Sequence, residues 1–576
     1  MTADVYLPTS EQKAIIGHEG HAFVRACPGA GKTRTMVERA RHVLSNPADR
    51  RGVAFLSFTN AAVEELEARL RNFGILPSPL FPSFIGTFDR FLWQFLIAPF
   101  GVEGCSQAPR LVPDKSEWEV KPFEAAQSLK LKHFDRATGA LLADKTADTG
   151  FAPKIGPGAW ETRARNMIAH ALSNGHLDFE DVRDCVGKRL ADPAFSARLG
   201  AALSGRFREI VIDEAQDCNP TDLKIVEWLR GSGIKVKVVC DPNQAIYAFR
   251  GGLTDELLRF ADTFDGIDRL PMSGNFRSSP AICAAISQLR PPASRGAVDQ
   301  PVGRYKDETT PVYILAYGGA GVPAAIGAQF QMMAAALGIP PEQAPVLAAT
   351  WASAGNAVGR AMPDAGNDKT LLLAEAVMGF HFAFAAGNRR EALARLHRVV
   401  LQVRGEISNA GAYSTHVTNS GLDDGRWRPE IIAVGQTLKC LAGESAQNWL
   451  KRARALLDSN LVGTSSIGQR LQSNNKLAAV LAEASPTALP AKAIHAVKGL
   501  EFSAVCVVLT VKTSGDILNV LTGAESGTKP VEEARKIYVA ASRAERLLAI
   551  AAPKSRAAAL KGILDAGGHA VQIVAL

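Results

Sequence analysis

The apolar run AFVRA at 22–26 leads without a break into the loop CPGAGKT at 27–33, and the helical pattern RTMVERARHVL follows. Strand, glycine-bearing loop and helix in that order form a cradle for phosphate groups, which needs a strand to deliver the loop and a helix N-terminus behind it. The loop residues Pro28 to Arg34 would line the phosphates, with Gly29 and Gly31 letting the backbone curl so that the successive N–H groups from Gly29 and Ala30 to Arg34 surround an anion. Ala26 stands where the motif has its first glycine. Lys32 would bridge the β- and γ-phosphates and Thr33 would ligate Mg²⁺. A chance Gly-rich turn is the alternative, and the flanking strand, the flanking helix and the GKT ending all weigh against it.

A phosphate loop of this kind needs a metal-binding carboxylate, and the run EIVI at 209–212 opens directly onto Asp213 and Glu214. Asp213 would hold Mg²⁺ at a strand end, and Glu214 would sit within reach of an attacking water as general base. Alone, a DE pair after a strand is a polar strand terminus. Lys32 is what gives it meaning.

Further aliphatic runs at 52–58, 236–241, 312–317, 344–350 and 504–510 each end in a polar or acidic loop and are followed by helical pattern. Strands alternating with helices predict parallel α/β sheets, with chemistry in the loops after the strand ends. At 576 residues the chain exceeds one core, and three or four domains are expected. Residues 101–200 and 361–485 read as mostly helical insertions. They divide a first core (1–100 and 201–285) from a second (286–360 and 486–576).

Composition excludes other classes. No apolar stretch reaches the roughly 18 residues that span a bilayer, and MTADVYLPTSEQ has neither basic leader nor apolar core, so a cytoplasmic protein without membrane contact is expected. The eight cysteines form no CxxC pair, which leaves a zinc or iron–sulfur site without support. A net charge of +8 is compatible with a polyanionic partner and raises its prior only slightly.

From VIDEAQD (211–217) onward the pattern becomes family-specific: it resembles the extended DExxQD signature of superfamily 1 DNA helicases of the UvrD/Rep/PcrA type. The family's other motifs follow in order. LPTSEQKAII resembles its Q-motif, SFTNAAVEEL (57–66) motif Ia, GTFDRFL (86–92) motif Ib, CDPNQAIYAFRGG (240–252) motif III and SGNFRSS (273–279) motif IV. AIHAVKGLEF (493–502) is similar to motif V and KIYVAASRAE (536–545) to motif VI. The resemblance implies an α/β fold of two RecA-like P-loop cores with parallel sheets, each carrying a mostly helical insertion. It implies an ATP- and Mg²⁺-dependent translocase on single-stranded DNA or single-strand/duplex junctions, moving 3′→5′.

By the same resemblance Gln12 reads the adenine edge, Gln244 senses the γ-phosphate, and Glu501 meets the ribose. Arg277 and Arg543, from the second core, donate forked hydrogen bonds to the γ-phosphate. DNA contacts are expected at Phe58, Thr59 and Asn60, at Thr87, at Tyr247, Phe249 and Arg250, and at His495. Phe58 could instead be a core residue closing its strand, and Tyr247 could pack beneath motif III. Three positions depart from the pattern: Phe249 replaces Trp, Asp89 replaces a His and would repel phosphate, and Ala541 replaces Thr.

The HEGH run at 18–21 is not HExxH and reads as a turn before a strand. Basic residues at Lys130–His133, Arg389-Arg390 and Lys451–Arg454 read as solvated helix faces. Only 33 residues follow Arg543, too few for a fused nuclease domain, so DNA cutting would fall to a separate partner. A second functional reading stays open: a regulatory, DNA-sensing ATPase subunit of a nuclease-containing complex. The NQAIYAFRGG and VAASRAERLL wording also resembles small UvrD-like proteins paired with OLD-family nucleases in Gabija-type phage defence. An RNA-directed motor is a third reading.

Overall fold

Continuous aliphatic runs make strands that are covered on both faces, as a parallel sheet between helices requires. In the first core these are β1 (Ala22–Ala26), β2 (Gly52–Ser57), β3 (Phe84–Thr87), β4 (Phe207–Ile212), β5 (Lys235–Cys240) and β6 (Arg269–Met272). They form one six-stranded sheet in the order β6-β1-β5-β4-β2-β3, every neighbouring pair parallel. The second core repeats the plan with β7 (Val312–Tyr317), β8 (Val346–Ala348), β9 (Ala491–Ala493), β10 (Phe502–Val508), β11 (Ala544–Pro553) and β12 (Val571–Ala575). Its order is β12-β7-β11-β10-β8-β9, again all parallel. Each label is six higher than its counterpart in the first sheet, so both have one topology.

The computed structural model describes the chain apart from residues 1–6, 46–47, 75–79, 113, 147–148, 153–155, 246–253, 297, 360–367, 386–388, 410–411, 423–424, 442, 482–488 and 498, with backbone alone at 61, 254, 382–385, 390–391, 414–415 and 418. It divides into two units. One, residues 1–91, 189–361 and 485–576, contains both sheets. The other, residues 92–188 and 362–484, is formed by the two insertions.

Within the first unit, α1 (Ser10–Gly17) begins with a capping box, in which Thr9 Oγ1 accepts from the Gln12 N–H and the Gln12 side chain accepts from the Thr9 N–H. The helix after the phosphate loop, α2 (Lys32–Leu44), sends Arg39 into the interior. There it makes a forked pair with Glu209 of β4 at 2.7 and 3.0 Å and donates to the Ile16 carbonyl of α1 at 2.7 Å. One buried guanidinium therefore ties two helices to the sheet. α3 (Asn60–Asn72) follows β2, and α4 (Pro193–Arg206), capped by Asp192, leads into β4. The expected boundary at 286 runs through α5 (Pro280–Gln288), whose Ala281, Ile282, Ala285 and Ile286 pack into the apolar core of the second sheet. Ser278 and Ser279, just before it, bond to Ala544 and Glu545 of β11.

In the second unit, the helical pattern read between 101 and 200 is realised at Gly158–Ser173 and Phe179–Leu190, while two-residue strands and short turns fill much of 98–142. Lys115, fully buried, pairs with Asp181 at 2.5 Å, and Arg136 pairs with Asp178 at 2.9 Å. The later insertion is helical, with Trp449 at the centre of a core drawn from Lys369–Ala385, Arg389–Arg404, Arg428–Thr437 and Ala446–Leu457. Among the described residues no helix is long and apolar enough to cross a membrane.

Candidate nucleotide site and nucleic-acid edge

The phosphate loop leaves the end of β1 with Cys27 N–H bonded to the Met272 carbonyl of β6. Gly29 and Gly31 both adopt left-handed conformations, φ 69° and 74°. At Gly29 the requirement is also steric, since a Cβ would lie 2.6 Å from Asn275 Oδ1 and 2.7 Å from Arg277 Cβ. Gly31 caps α2 and offers no side chain to its first turn, which leaves the N–H groups of that turn to other acceptors. Pro28 and Ala30 are buried; Lys32, Thr33 and Arg34 are half-buried. Arg34 reaches Glu38 at 3.3 Å and lies over the Phe73 ring.

Motif II supplies the opposing charges. Asp213 follows β4, its N–H bonded to the Leu56 carbonyl and its Oδ1 accepting from the Glu214 N–H at 2.8 Å. Glu214 takes a left-handed backbone at φ 57°, costing a non-glycine residue about 1–2 kcal/mol. Its carboxylate stands 3.7 Å from Lys32 Nζ and accepts from Gln216 Nε2. Burial works against the charge on Lys32, but Glu214, Asp213 and Asp241 outweigh it and hold its pKa above the ordinary lysine value. Burial, then the adjacent Glu214 carboxylate, pushes the Asp213 pKa up. Three carboxylates thus crowd one lysine.

Gln216 carries the arrangement into motif III: while Nε2 serves Glu214, its Oε1 accepts from the Asp241 N–H at 3.1 Å. Asp241, at the end of β5, accepts from Gln244 Nε2 at 2.9 Å and from the Tyr538 hydroxyl at 3.1 Å. Tyr538 lies on α6 (Thr528–Ala541) of the second core. The Arg290 guanidinium donates to the Tyr538 hydroxyl at 3.3 Å and to Asp299 at 2.5 Å. All four residues of this Asp241–Tyr538–Arg290–Asp299 chain are at most 7% exposed.

Both candidate arginines reach this place, Arg277 from just before α5, which packs on the second sheet, and Arg543 from just after the helix that carries Tyr538. Arg543 donates to Gln244 Oε1 and to the Val539 carbonyl, and burial, then the Arg277 charge, pulls its pKa down to about 10. It stays a cation at neutral pH. Arg277 donates to the Ser542 carbonyl at 2.8 Å and to Glu501 at 2.5 Å, while its buried Nε has no hydrogen-bond partner. Burial opposes ionisation of Glu501, yet Arg277 prevails and lowers its pKa. Gln12, buried, donates to the Ala30 carbonyl of the phosphate loop at 3.0 Å.

Of the expected nucleic-acid residues, those described lie at or just beyond the C-terminal ends of strands. Phe58, after β2, stacks on Phe88 with centroids 5.4 Å apart and planes at 17°, leaving it half-buried. Thr59 caps α3 through a bond from the Ala62 N–H, and Asn60 is exposed. Thr87 accepts from the Arg90 N–H, and His495 is half-buried on the turn Ile494–Val497 that follows β9. Tyr247, Phe249 and Arg250 lie outside the described residues. The HEGH run is structural: His18 Nε2 lies 2.9 Å from Asp268 and His21 Nδ1 accepts from the Val236 N–H. Among the described residues no cluster of three His, Cys, Asp or Glu could hold a metal ion by itself.

Sequence reasoning assigned no part to Gln216, Tyr538, Arg290, Asp299 or Phe276. Phe276 is fixed beside the loop by its N–H bond to the Gly29 carbonyl, and its ring edge would be 3.8 Å from a Cβ on Gly31. Gln216 and Phe276 lay inside quoted motifs and were open to this reading. Arg290 and Asp299 sit in a Pro/Gly-rich break and carry no pattern.

Residues 7–265 match the UvrD/REP helicase N-terminal domain family. Just under half of this chain is therefore similar to the UvrD/REP helicase N-terminal domain. Its relatives include YjcD of Bacillus subtilis, provisionally named an ATP-dependent DNA helicase, 26% identical over 49% of this chain and 38% of that protein. DNA helicase II of Escherichia coli is 22% identical over 49% of this chain and 40% of its own length. This UvrD-like chain thus covers well under half the length of those two relatives. The ATP-dependent DNA helicase UvrD2 of Mycobacterium tuberculosis is 24% identical over 96% of the chain and 79% of its own length.

Proposed function

We propose that this UvrD-like chain is an ATP-dependent translocase on single-stranded DNA, with 3′→5′ polarity, that unwinds duplexes by cycling the contact between its two cores. The observation that carries the reading is the bond between Gln244 of the first core and Arg543 of the second, beside Lys32 and Glu214. A group on one core that reacts to the γ-phosphate is thereby in touch with the other core, which is the bistable element a nucleotide switch needs.

The donors suit Mg²⁺: a Thr33 hydroxyl and an Asp213 carboxylate are hard oxygens, and three carboxylates around one lysine make a field that a divalent cation relieves. Bound there with ATP, the ion would neutralise phosphate charge. Lys32, kept protonated, would bind the phosphate oxygens. Glu214, oriented by Gln216, would take a proton from the attacking water. Arg543 and Arg277 would turn from Gln244 and Glu501 to the γ-phosphate, where forked donors stabilise the charge that develops. Gln12 would hold the base edge, and Phe276 offers a ring face beside it.

The test is strand displacement by the purified protein on duplexes with 3′ or 5′ single-stranded tails. Unwinding of the 3′-tailed substrate, lost in Lys32→Ala, is expected. ATP turnover stimulated by single strands without displacement would leave a translocating or switching ATPase. Turnover undiminished in Lys32→Ala would refute the site.

A further inference from the structure

Because the two sheets share one topology, each loop of the first core has a counterpart in the second. β2 ends at Ser57 and β8 at Ala348, and two residues later Thr59 and Thr350 cap a helix. The two caps share an extended backbone, φ/ψ −130°/142° and −124°/152°, and each accepts from the N–H three residues on, at 3.3 and 3.2 Å. The loops after β1 and β7 also correspond: ACPGAGKTRT (26–35) and AYGGAGVPAA (316–325) share Ala, Gly, Ala and Gly in register. Gly29 and Gly319 are both left-handed. Gly31 is left-handed and Gly321 is not, and Val322 and Pro323 replace Lys32 and Thr33, so the second loop shares one turn with the first and lacks the phosphate chemistry.

In that register Ala349 stands for Phe58 and Trp351 stands for Asn60. Trp351 opens the helix Trp351–Ala357 and is 45% exposed, whereas Trp118, Trp160 and Trp449 are at most 6% exposed. The fold does not need the indole there, since Thr350 caps the helix and Ala354 and Ala357 supply its buried face. An indole that the fold leaves 45% exposed beside a strand end offers a flat apolar face to a planar partner. β8 pairs directly with β9, Ala348 opposite Ala493, so Trp351 and His495 emerge from the ends of adjacent strands.

We propose that Trp351 is a base-stacking platform for single-stranded DNA on the second core, the counterpart of the 57–60 loop on the first. The inference rests on the single-stranded DNA reading above. It adds that each core presents its own aromatic, one before the capping threonine and one after it. Every base has a π-face, so such a platform grips the strand without reading its sequence.

The test compares binding of fluorescent oligo-dT with binding of an abasic strand of equal length, in the wild type and in Trp351→Ala. Stacking losses of the usual size predict oligo-dT affinity weaker by roughly 5- to 100-fold and abasic-strand affinity changed by less than about twofold. Trp351→Phe keeps a ring and should retain most of the oligo-dT affinity, which guards against a folding artefact in the alanine variant. Equal losses on both strands would mean that Trp351 supports the backbone path rather than bases, and overturn the proposal. So would oligo-dT binding unchanged in Trp351→Ala, leaving the DNA reading intact. A wild-type protein that binds neither strand would overturn both.

Discussion

Tyr538→Phe removes one oxygen from the centre of the buried junction between the cores. That hydroxyl donates to Asp241 at 3.1 Å and accepts from Arg290 at 3.3 Å. Hydrogen bonds to charged groups contribute about 1.5–3 kcal/mol each, and both of these are longer than the roughly 2.5–2.9 Å of strong charge-assisted bonds. Neither partner is stranded by the change, because Arg290 keeps Asp299 and Asp241 keeps Gln244. Both bonds being long, the pair together is taken as worth about 2 kcal/mol, below the roughly 3 kcal/mol that two such bonds give at the lower end of the range. If the junction holds Gln244 against Arg543, that energy is expressed in the transition state, and ATP turnover should fall about 10- to 30-fold. KM for ATP should stay within about twofold, since the lost bonds lie between protein groups. Steady-state kinetics with saturating single-stranded DNA, alongside a thermal melt, read both. A lowered Tm with kcat within about twofold of wild type would show that the hydroxyl only stabilises the fold.

Two other substitutions probe buried charge. Lys115→Met leaves Asp181 and Asp178 facing Arg136 alone and should destabilise the insertion unit by about 3–5 kcal/mol in urea unfolding; a loss below about 1 kcal/mol would mean that Asp181, whose pKa is pushed up to about 7 by burial and then by Asp178, is already protonated in the native state. Lys237, buried in β5 against the His18 and Gly20 carbonyls, has its pKa pulled down to about 8 by burial, with Glu209 opposing. The unfolded chain then holds that proton more tightly than the native one, so stability should rise as pH passes from about 8 toward 10. Lys237→Met should remove that rise, and an unaltered pH slope in the variant would assign it to other groups.

The strands read from the sequence are those whose aliphatic runs fill the middle of a sheet. β3, β6 and β9, read as FIGT, RLPM and AKA, escaped notice, and all three are edge strands. An edge strand pairs on one side and needs less apolar surface, so Gly, Pro and Lys are tolerated and the pattern disappears. The candidate nucleotide site was legible for a related reason: each residue proposed for it from the sequence sits in a short motif with fixed spacing. What stayed hidden was held together by distance in the chain. Tyr538 meets Arg290 across 248 positions, and Lys115 meets Asp181 across 66, with no local spacing to betray either pair. Such contacts are consequences of the fold and leave no mark in a window of sequence.

Arg277 and Arg543 are already engaged, one by Glu501 and Ser542, the other by Gln244 and Val539. If a triphosphate binds there as proposed, it would meet two occupied cations and bind by exchange. Its measured affinity is then a difference between new contacts and old ones, smaller than the contacts alone would give. The same exchange runs backward when the γ-phosphate departs, because the original partners stand ready to take the arginines back. On that proposal the protein would carry its own restoring force, and each cycle would end where it began without help from the next nucleotide.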